Sequence, residues 1–565
     1  MTDRTRLTVL QAAVVFAFCA FVFYFGLGAF GLVGADEPRY AQIAREMLTR
    51  HDWILPTLNG SPWLEKPVLL YWKIINSYVI LGIHDWAARV PSAVHATALV
   101  MVVFFFMRRF RPGSELDAAL ITASMAGVIG FARGASTDMP LSASLSIALL
   151  SWWAWHETGR KLWLAGFYVL LAVGALTKGP VAPALAVLIV AAYSAARRDS
   201  KIFFRSLWAP GFTLFFVITA PWYVAIEMKA PQFFRVFLLE HNLERFGTNL
   251  YQHAQPFWYY IPVFLLGTLP WTVFTVPALV DAGGAFWREL RSSRAESALT
   301  APTPTGPEAS AVPGDLTVFL FLWIVIPIVF FSISRSKLPG YILPAIPPAA
   351  VLTADYLHRR RVVRRLQLAL HSLLCGAIMA GALLAPWIML HAAVPGKTRA
   401  IVAVFSGLIA ILVLVVVRRG GLPTLHFATL VPLLLGLVFL LRFAAIPEND
   451  AYPIHGLILD ITQSARPVDL ELRRLGVKED TPLAVFNVKR DVAYGLNFYR
   501  NQPITYYESE RPRDLPSGIP AREHVVIAKR GSQDAVKAVV APRQVTPLGD
   551  FPPQHLEFFL VSNPK

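Results

Sequence analysis

The sequence predicts a polytopic α-helical membrane protein with about thirteen spans and a small C-terminal α/β domain. Three observations carry this. Of 565 residues, 55% are apolar and only 16% are charged, whereas a soluble domain carries about 25% charge. The apolar residues fall into runs near the roughly 20 residues that cross a bilayer. Beyond residue 445 the pattern changes to short strand-like runs separated by polar turns.

The first run, Val9 to Leu32, is too long for a signal h-region and lacks a small-residue cleavage site, so it is expected to be retained. Further spans centre on 90–107, 116–133, 140–155, 163–177, 180–196, 208–227, 258–279, 316–333, 341–356, 367–389, 400–417 and 424–445. Lys plus Arg number 52 against 36 Asp plus Glu, a formal charge of +16. Much of the excess lies in short loops, at Arg4/Arg6, Arg108/Arg109/Arg111, Arg160/Lys161, Arg197/Arg198, Arg288/Arg291, Arg359–Arg361 and Arg418/Arg419. These loops alternate through the span count, so they share one face, which the positive-inside rule makes cytoplasmic. Anionic lipid accounts for the charge, and no nucleic-acid partner is expected. Cys19 and Cys375 sit in separate apolar runs, which excludes a disulfide scaffold and a cysteine zinc site.

With the N-terminus cytoplasmic and an odd span count, the tail lies outside. The membrane part is 1–445 and the outer α/β domain 446–565. Within the first, 34–85 is an outer loop holding two interfacial helices, Tyr40–Leu48 and Pro67–Leu81. Residues 229–257 form a second outer loop, and 282–315 a cytoplasmic linker rich in Ala, Pro and Ser. In the tail, strands are expected at Leu483–Phe486, Ile504–Tyr507, Val525–Ala528 and Leu556–Val561, with a helix over Asp491–Tyr499. No internal repeat is visible, which weighs against an inverted-repeat transporter.

The chemistry-bearing residues fall on the outer face. Asp36 and Glu37 follow the first span directly, ahead of Pro38. An N-cap explains one of these acids but leaves the second loosely accounted for. Glu65 and Lys66 precede an interfacial helix, and Lys66 could snorkel to lipid or hold a phosphate as a point charge. Asn59-Gly60 reads as a turn. Asp138 lies in a very short turn, where a cap is again the plain alternative. Lys178 stands in Thr177-Lys178-Gly179-Pro180. Glu240, His241, Glu244 and Arg245 fall within one turn or so of helix, with His253 beyond. Lys337 and Tyr341 mark another span junction. Cations on this face break the positive-inside expectation and need anionic partners, which suits a phosphorylated lipid substrate. Clear mid-span charges are scarce, and His95, the most nearly buried, reads as a hydrogen-bonded structural histidine.

The stretches Asp36-Glu37-Pro38-Arg39-Tyr40-Ala41, Asp52-Trp53-Ile54, Glu65-Lys66-Pro67, Thr177-Lys178-Gly179, Glu240-His241, Arg245-Phe246, Pro256-Phe257-Trp258-Tyr259-Tyr260, Leu269-Pro270-Trp271 and Lys337-Leu338-Pro339 together resemble the bacterial lipid A aminoarabinose transferase family, within the protein O-mannosyltransferase superfamily. The match runs from about residue 30 to about residue 345. The resemblance implies a GT-C glycosyltransferase fold in the bacterial inner membrane with a periplasmic active site. It implies transfer of 4-amino-4-deoxy-L-arabinose from undecaprenyl phosphate to a lipid A phosphate, and hence resistance to polymyxin and other cationic peptides. Asp36, with Glu37 beside it, and Asp138 become the catalytic candidates. Lys66 becomes the donor-phosphate lysine, joined by Arg245, Lys337, Tyr341, Arg39 and Lys178. Zinc or another divalent metal is implied near the first loop, with Glu65 and His241 as candidate ligands and His253 as the alternative. No nucleotide cofactor is expected, and a monomer is. A transferase of another polyprenyl-linked sugar, such as a hexosamine, to lipid A or protein is the alternative. A polyprenyl-sugar transporter is less favoured.

Overall fold

The computed structural model describes residues 3–237, 255–296, 314–360, 364–389, 393–443, 445–446, 456–457, 464–507 and 516–563. Half of the expected 282–315 linker and most of the 229–257 loop lie outside this set, as do Glu240, His241, Arg245 and His253, while 282–296 continues the helix Thr272–Glu296.

The chain is a multi-pass membrane protein. Among the described residues, eight helices are long and apolar enough to cross a membrane, or nine if the bent pair Glu115–Ser124 and Ala126–Ala132 counts as one span. The expected spans at 140–155, 180–196, 258–279 and 341–356 are not among them; the first is the 21-residue helix Asp138–Thr158, and the other three are short or broken. Val181–Ala196 has only 16 residues. The expected 258–279 span is broken between Tyr260–Gly267 and a helix starting at Thr272. The expected 341–356 span opens as a 3-10 turn, Pro339–Ala345, before the helix Ile346–Arg360, because the prolines there withhold backbone donors.

The first span also ends early. Its helical backbone stops at Tyr24 rather than Leu32. The carbonyls at and beyond this helix end are met by two arginines. Arg133 donates to the carbonyls of Val22 and Gly26, and Arg89 to those of Leu27, Phe30 and Gly31. A non-helical segment inside a bilayer would need such partners, since lipid offers none.

Two surface helices follow, Asp36–Thr49 and Leu69–Leu81. The first contains the expected stretch Tyr40–Leu48, and the second covers the expected Pro67–Leu81 except for Pro67 and Val68. Between them Asn59 and Gly60 take positive φ, 53° and 75°, and turn a two-residue hairpin that pairs Leu58 with Ser61, as Asn-Gly favours. Glu46 accepts hydrogen bonds from the Asn59 and Gly60 amides and ties the hairpin to the first surface helix.

The C-terminal domain is built on a five-stranded sheet in the order 504–506, 483–486, 524–529, 556–562, 544–551. Its first three strands are parallel, and 556–562 runs antiparallel to both neighbours. Four strands match the expected runs. The fifth, Gln544–Phe551, was not expected, because Pro547 and Gly549 interrupt its pattern. It lies at the sheet edge with a register shift between those two residues, where proline is tolerated. Helices Arg466–Arg474 and Arg490–Arg500 join the surface helices in one continuous apolar core through Tyr40, Ile43 and Tyr71 on one side and Leu472, Tyr494 and Phe498 on the other. The domain is therefore seated on the surface helices.

Candidate active site

Asp36 is the first residue of the first surface helix, and Ala35 stands at the cap position with no side-chain capping bond. Asp138 likewise opens the helix Asp138–Thr158 behind Thr137, again with no side-chain cap. Neither acid serves as the cap that sequence alone allowed. Both carboxylates are turned to cations.

Lys178 closes the helix Lys161–Lys178, and Gly179 takes φ +88° to end it. A Cβ at Gly179 would come 2.5 Å from the Phe237 ring, so only glycine fits this turn. The Lys178 ammonium lies 2.5 Å from an Asp138 carboxylate oxygen and 5.0 Å from the centroid of the Tyr341 ring. Gly340 packs directly on Asp138: a Cβ there would meet its carboxylate at 2.6–2.9 Å. Asp138, Lys178 and Tyr341, read from three separate motifs, thus form one cluster.

The Asp36 carboxylate is 54% exposed and receives the Arg39 guanidinium at 2.5 Å. Burial of its surroundings pushes the Asp36 carboxyl up, but Arg39, Lys66, Arg490 and Lys178 together hold it below the usual carboxylate range. Lys178 belongs to both groups, so the Asp36 and Asp138 motifs share one electrostatic site. Lys66 is half-buried beside it.

Several expected roles change. Glu37 is buried and fully engaged. Arg89 donates to both its oxygens, at 3.0 and 2.7 Å, and the Ala135 and Val33 amides donate to them as well. No face of this carboxylate is left for substrate. Glu37 is a buried structural partner of Arg89. Arg39 is no open phosphate ligand. Its side chain is 8% exposed, with the guanidinium carbon 4.7 Å from the Trp63 ring and 5.5 Å from the Tyr494 ring. Burial disfavours its charge, but Asp36, Tyr40 and Glu65 keep it protonated. It positions Asp36. Lys337 is buried and donates to the carbonyls of Gln255 and Ser334, so two of its three N–H groups hold the chain junction. His95 bonds the Pro91 carbonyl and Lys73, a structural arrangement.

Of the expected metal ligands only Glu65 is described, and among the described residues no group of three His, Cys, Asp or Glu could hold a metal ion. No step is assigned to a metal.

Sequence reading missed Arg89, Tyr494 and Arg490. Arg89 carried a usable signal: a lone arginine at the edge of an apolar span demands a carboxylate. Tyr494 and Arg490 carried none, because they reach the site from more than 450 positions away from Asp36.

Comparison with known proteins follows this geometry. The family model described as dolichyl-phosphate-mannose-protein mannosyltransferase matches residues 8–237. The undecaprenyl phosphate-alpha-4-amino-4-deoxy-L-arabinose arabinosyl transferase of Serratia proteamaculans is 30% identical over 425 residues, covering 74% of this chain and 67% of that protein. The enzyme of the same name from Edwardsiella ictaluri is 33% identical over 57% of this chain and 55% of its own, and that from Pseudomonas aeruginosa UCBPP-PA14 is 31% identical over 58% and 56%. The chain thus spans little more than half the length of some curated relatives it matches. Among solved structures, ArnT from Cupriavidus metallidurans bound to undecaprenyl phosphate superposes with a TM-score of 0.73 at 22% identity, covering 99% of this chain and 100% of that one. Its apo form gives 0.75, also at 22% identity. The shared architecture is the GT-C fold.

Proposed function

The chain belongs to the undecaprenyl phosphate-aminoarabinose arabinosyltransferase family, and from that premise we propose that it moves 4-amino-4-deoxy-L-arabinose from undecaprenyl phosphate to a phosphate of lipid A. The observation that carries the proposal is the half-exposed Asp36 carboxylate set among Arg39, Lys66, Lys178 and Arg490. Such a site presents one fixed anion and several cations to its ligand. An amino sugar joined to a phosphate has the matching pattern.

In the reaction the bond from the anomeric carbon to the donor phosphate oxygen breaks, and its electron pair leaves with the polyprenyl phosphate. An oxygen of the acceptor phosphate forms the new bond to that carbon. Charge gathers on the leaving phosphate, and Lys66 with Lys178 is placed to stabilise it. The acceptor phosphate is largely ionised at neutral pH, its second pKa being about 6, so no carboxylate base is required. Asp36 meets the sugar ammonium and orients the ring. Asp138 holds Lys178 in place.

The proposal extends to setting and consequence. The protein lies in the bacterial inner membrane as a monomer, N-terminus in the cytoplasm, with the site and C-terminal domain in the periplasm. Added positive charge on lipid A confers resistance to polymyxin and other cationic peptides. A divalent metal such as zinc is held by Glu65 and His241, with His253 as the alternative. Metal analysis of the purified Glu65→Ala, His241→Ala double variant tests this, and undiminished zinc would reject the pair.

The deciding experiment is mass spectrometry of lipid A from cells with and without the gene. A pentosamine increment supports the reading. A hexosamine increment replaces the sugar, and an unchanged lipid A removes the acceptor. A periplasmic reporter fused after Lys565 should be active, and an active cytoplasmic reporter there would invert the orientation.

A further inference from the structure

The C-terminal domain packs on the helix that carries Asp36. Its helix Arg490–Arg500 lies against the first surface helix and is fixed there at several points. Arg45 donates to the Phe498 carbonyl at 2.8 Å. Asn497 donates to Asn59 at 2.9 Å. Tyr494 is buried beside the Arg39 guanidinium, which in turn holds Asp36. Residues four apart on a helix share a face, their Cβ atoms about 5–6 Å from each other. Arg490 therefore stands one turn from Tyr494 on the face directed at the Arg39–Asp36 pair. Its side chain is exposed, and among the described residues it forms no ion pair within salt-bridge distance. Its charge nonetheless reaches the Asp36 carboxylate.

The cations of the site thus come from two directions. Lys66 and Lys178 belong to the membrane part, and Arg490 to the C-terminal domain. We propose that Arg490 is an acceptor-binding residue: it grips the anionic phosphate of a saccharide lipid whose headgroup is tall enough to reach between the membrane part and the C-terminal domain. A planar guanidinium on a rigidly anchored helix suits bidentate capture of a phosphate. Arg490 then places an acceptor oxygen near the sugar that Asp36 orients. This inference rests on the transfer reaction proposed above.

The test uses full-length protein in lipid nanodiscs, with initial rates measured against acceptor at saturating donor and against donor at saturating acceptor. Arg490→Ala is expected to raise the acceptor KM by about tenfold or more while donor KM stays within about twofold. Arg490→Lys should recover part of the loss. Lys537→Ala serves as the control, since its helix packs on the opposite face of the sheet, against Ala484 and Val526, and should leave both constants unchanged. An unaltered acceptor KM in Arg490→Ala, or an equal rise in both constants, overturns the assignment. If the wild-type protein transfers no sugar, the proposed function fails instead. Direct binding of lipid A in the nanodisc then decides the Arg490 question. Weaker binding by Arg490→Ala, with dephosphorylated lipid A bound equally by both proteins, supports a phosphate grip. Equal binding of phosphorylated lipid A by both proteins rejects it.

Discussion

Arg89 donates to both oxygens of Glu37, and its side chain is fully buried while that of Glu37 is 8% exposed. Removing one partner of such a pair strands the other charge in a low-dielectric interior, a loss of about 3–5 kcal/mol. Glu37→Gln should therefore reduce the yield and thermal midpoint of the purified protein, while turnover per folded molecule stays close to wild type. A variant of normal stability that has lost turnover would return Glu37 to the catalytic set.

Asp36→Asn keeps the side-chain shape and removes the charge. It should express normally and lose nearly all sugar transfer, with donor binding retained through Lys66. Near-normal transfer in this variant would move the search for the essential acid to Asp138.

The pH dependence separates this carboxylate from the acceptor phosphate. Its pKa lies below the ordinary value, which is about 3.9. Asp36 therefore keeps its charge down through mildly acidic pH and loses it only as pH falls through that lowered value. The acid limb of the transfer rate should instead reflect the acceptor phosphate, with an inflection near pH 6. A profile flat through pH 6 that breaks near pH 4 would assign the limb to a carboxylate.

Lys66→Ala should remove about 3–4 kcal/mol of stabilisation from the leaving phosphate, most of the measurable activity. Lys66→Arg should rescue only in part, since a planar fork replaces a point charge. Unchanged turnover of the alanine variant at matched expression would leave Lys66 a snorkelling lysine.

Gly340→Ala places a methyl group 2.6–2.9 Å from the Asp138 carboxylate. The carboxylate must shift, and with it the Lys178 ammonium. A displacement of this order should lower turnover by about 100-fold without unfolding the helix. Full activity in the purified variant would show that the Asp138–Lys178 pair tolerates movement.

Much of this was legible in the sequence, and the reasons are physical. The helical stretches and both surface helices announce themselves through apolar runs and amphipathic spacing. Asp36, Lys66, Asp138 and Lys178 could be placed on one face by loop counting alone. What loop counting cannot supply is direction. Asp36 and Glu37 are neighbours of the same chemistry, yet a helix points them about 100° apart, one to the open site and the other to Arg89. Arg39 and Lys337 read as available cations because their burial depends on Trp63, Tyr494, Gln255 and Ser334, which come from elsewhere in the fold. The edge strand Gln544–Phe551 was hidden by the proline that its edge position permits.

The Tyr499 hydroxyl accepts a hydrogen bond from the Leu32 amide across 467 positions of sequence. Leu32 is made long before Tyr499, so the membrane helices that precede residue 446 are made before the domain to which Tyr499 belongs. Domains that form in order of synthesis ordinarily complete themselves one by one. Here the contact cannot close until the C-terminal domain has been made, so a chain stalled before Tyr494 lacks both this hydrogen bond and the packing of Tyr494 on the Arg39 guanidinium.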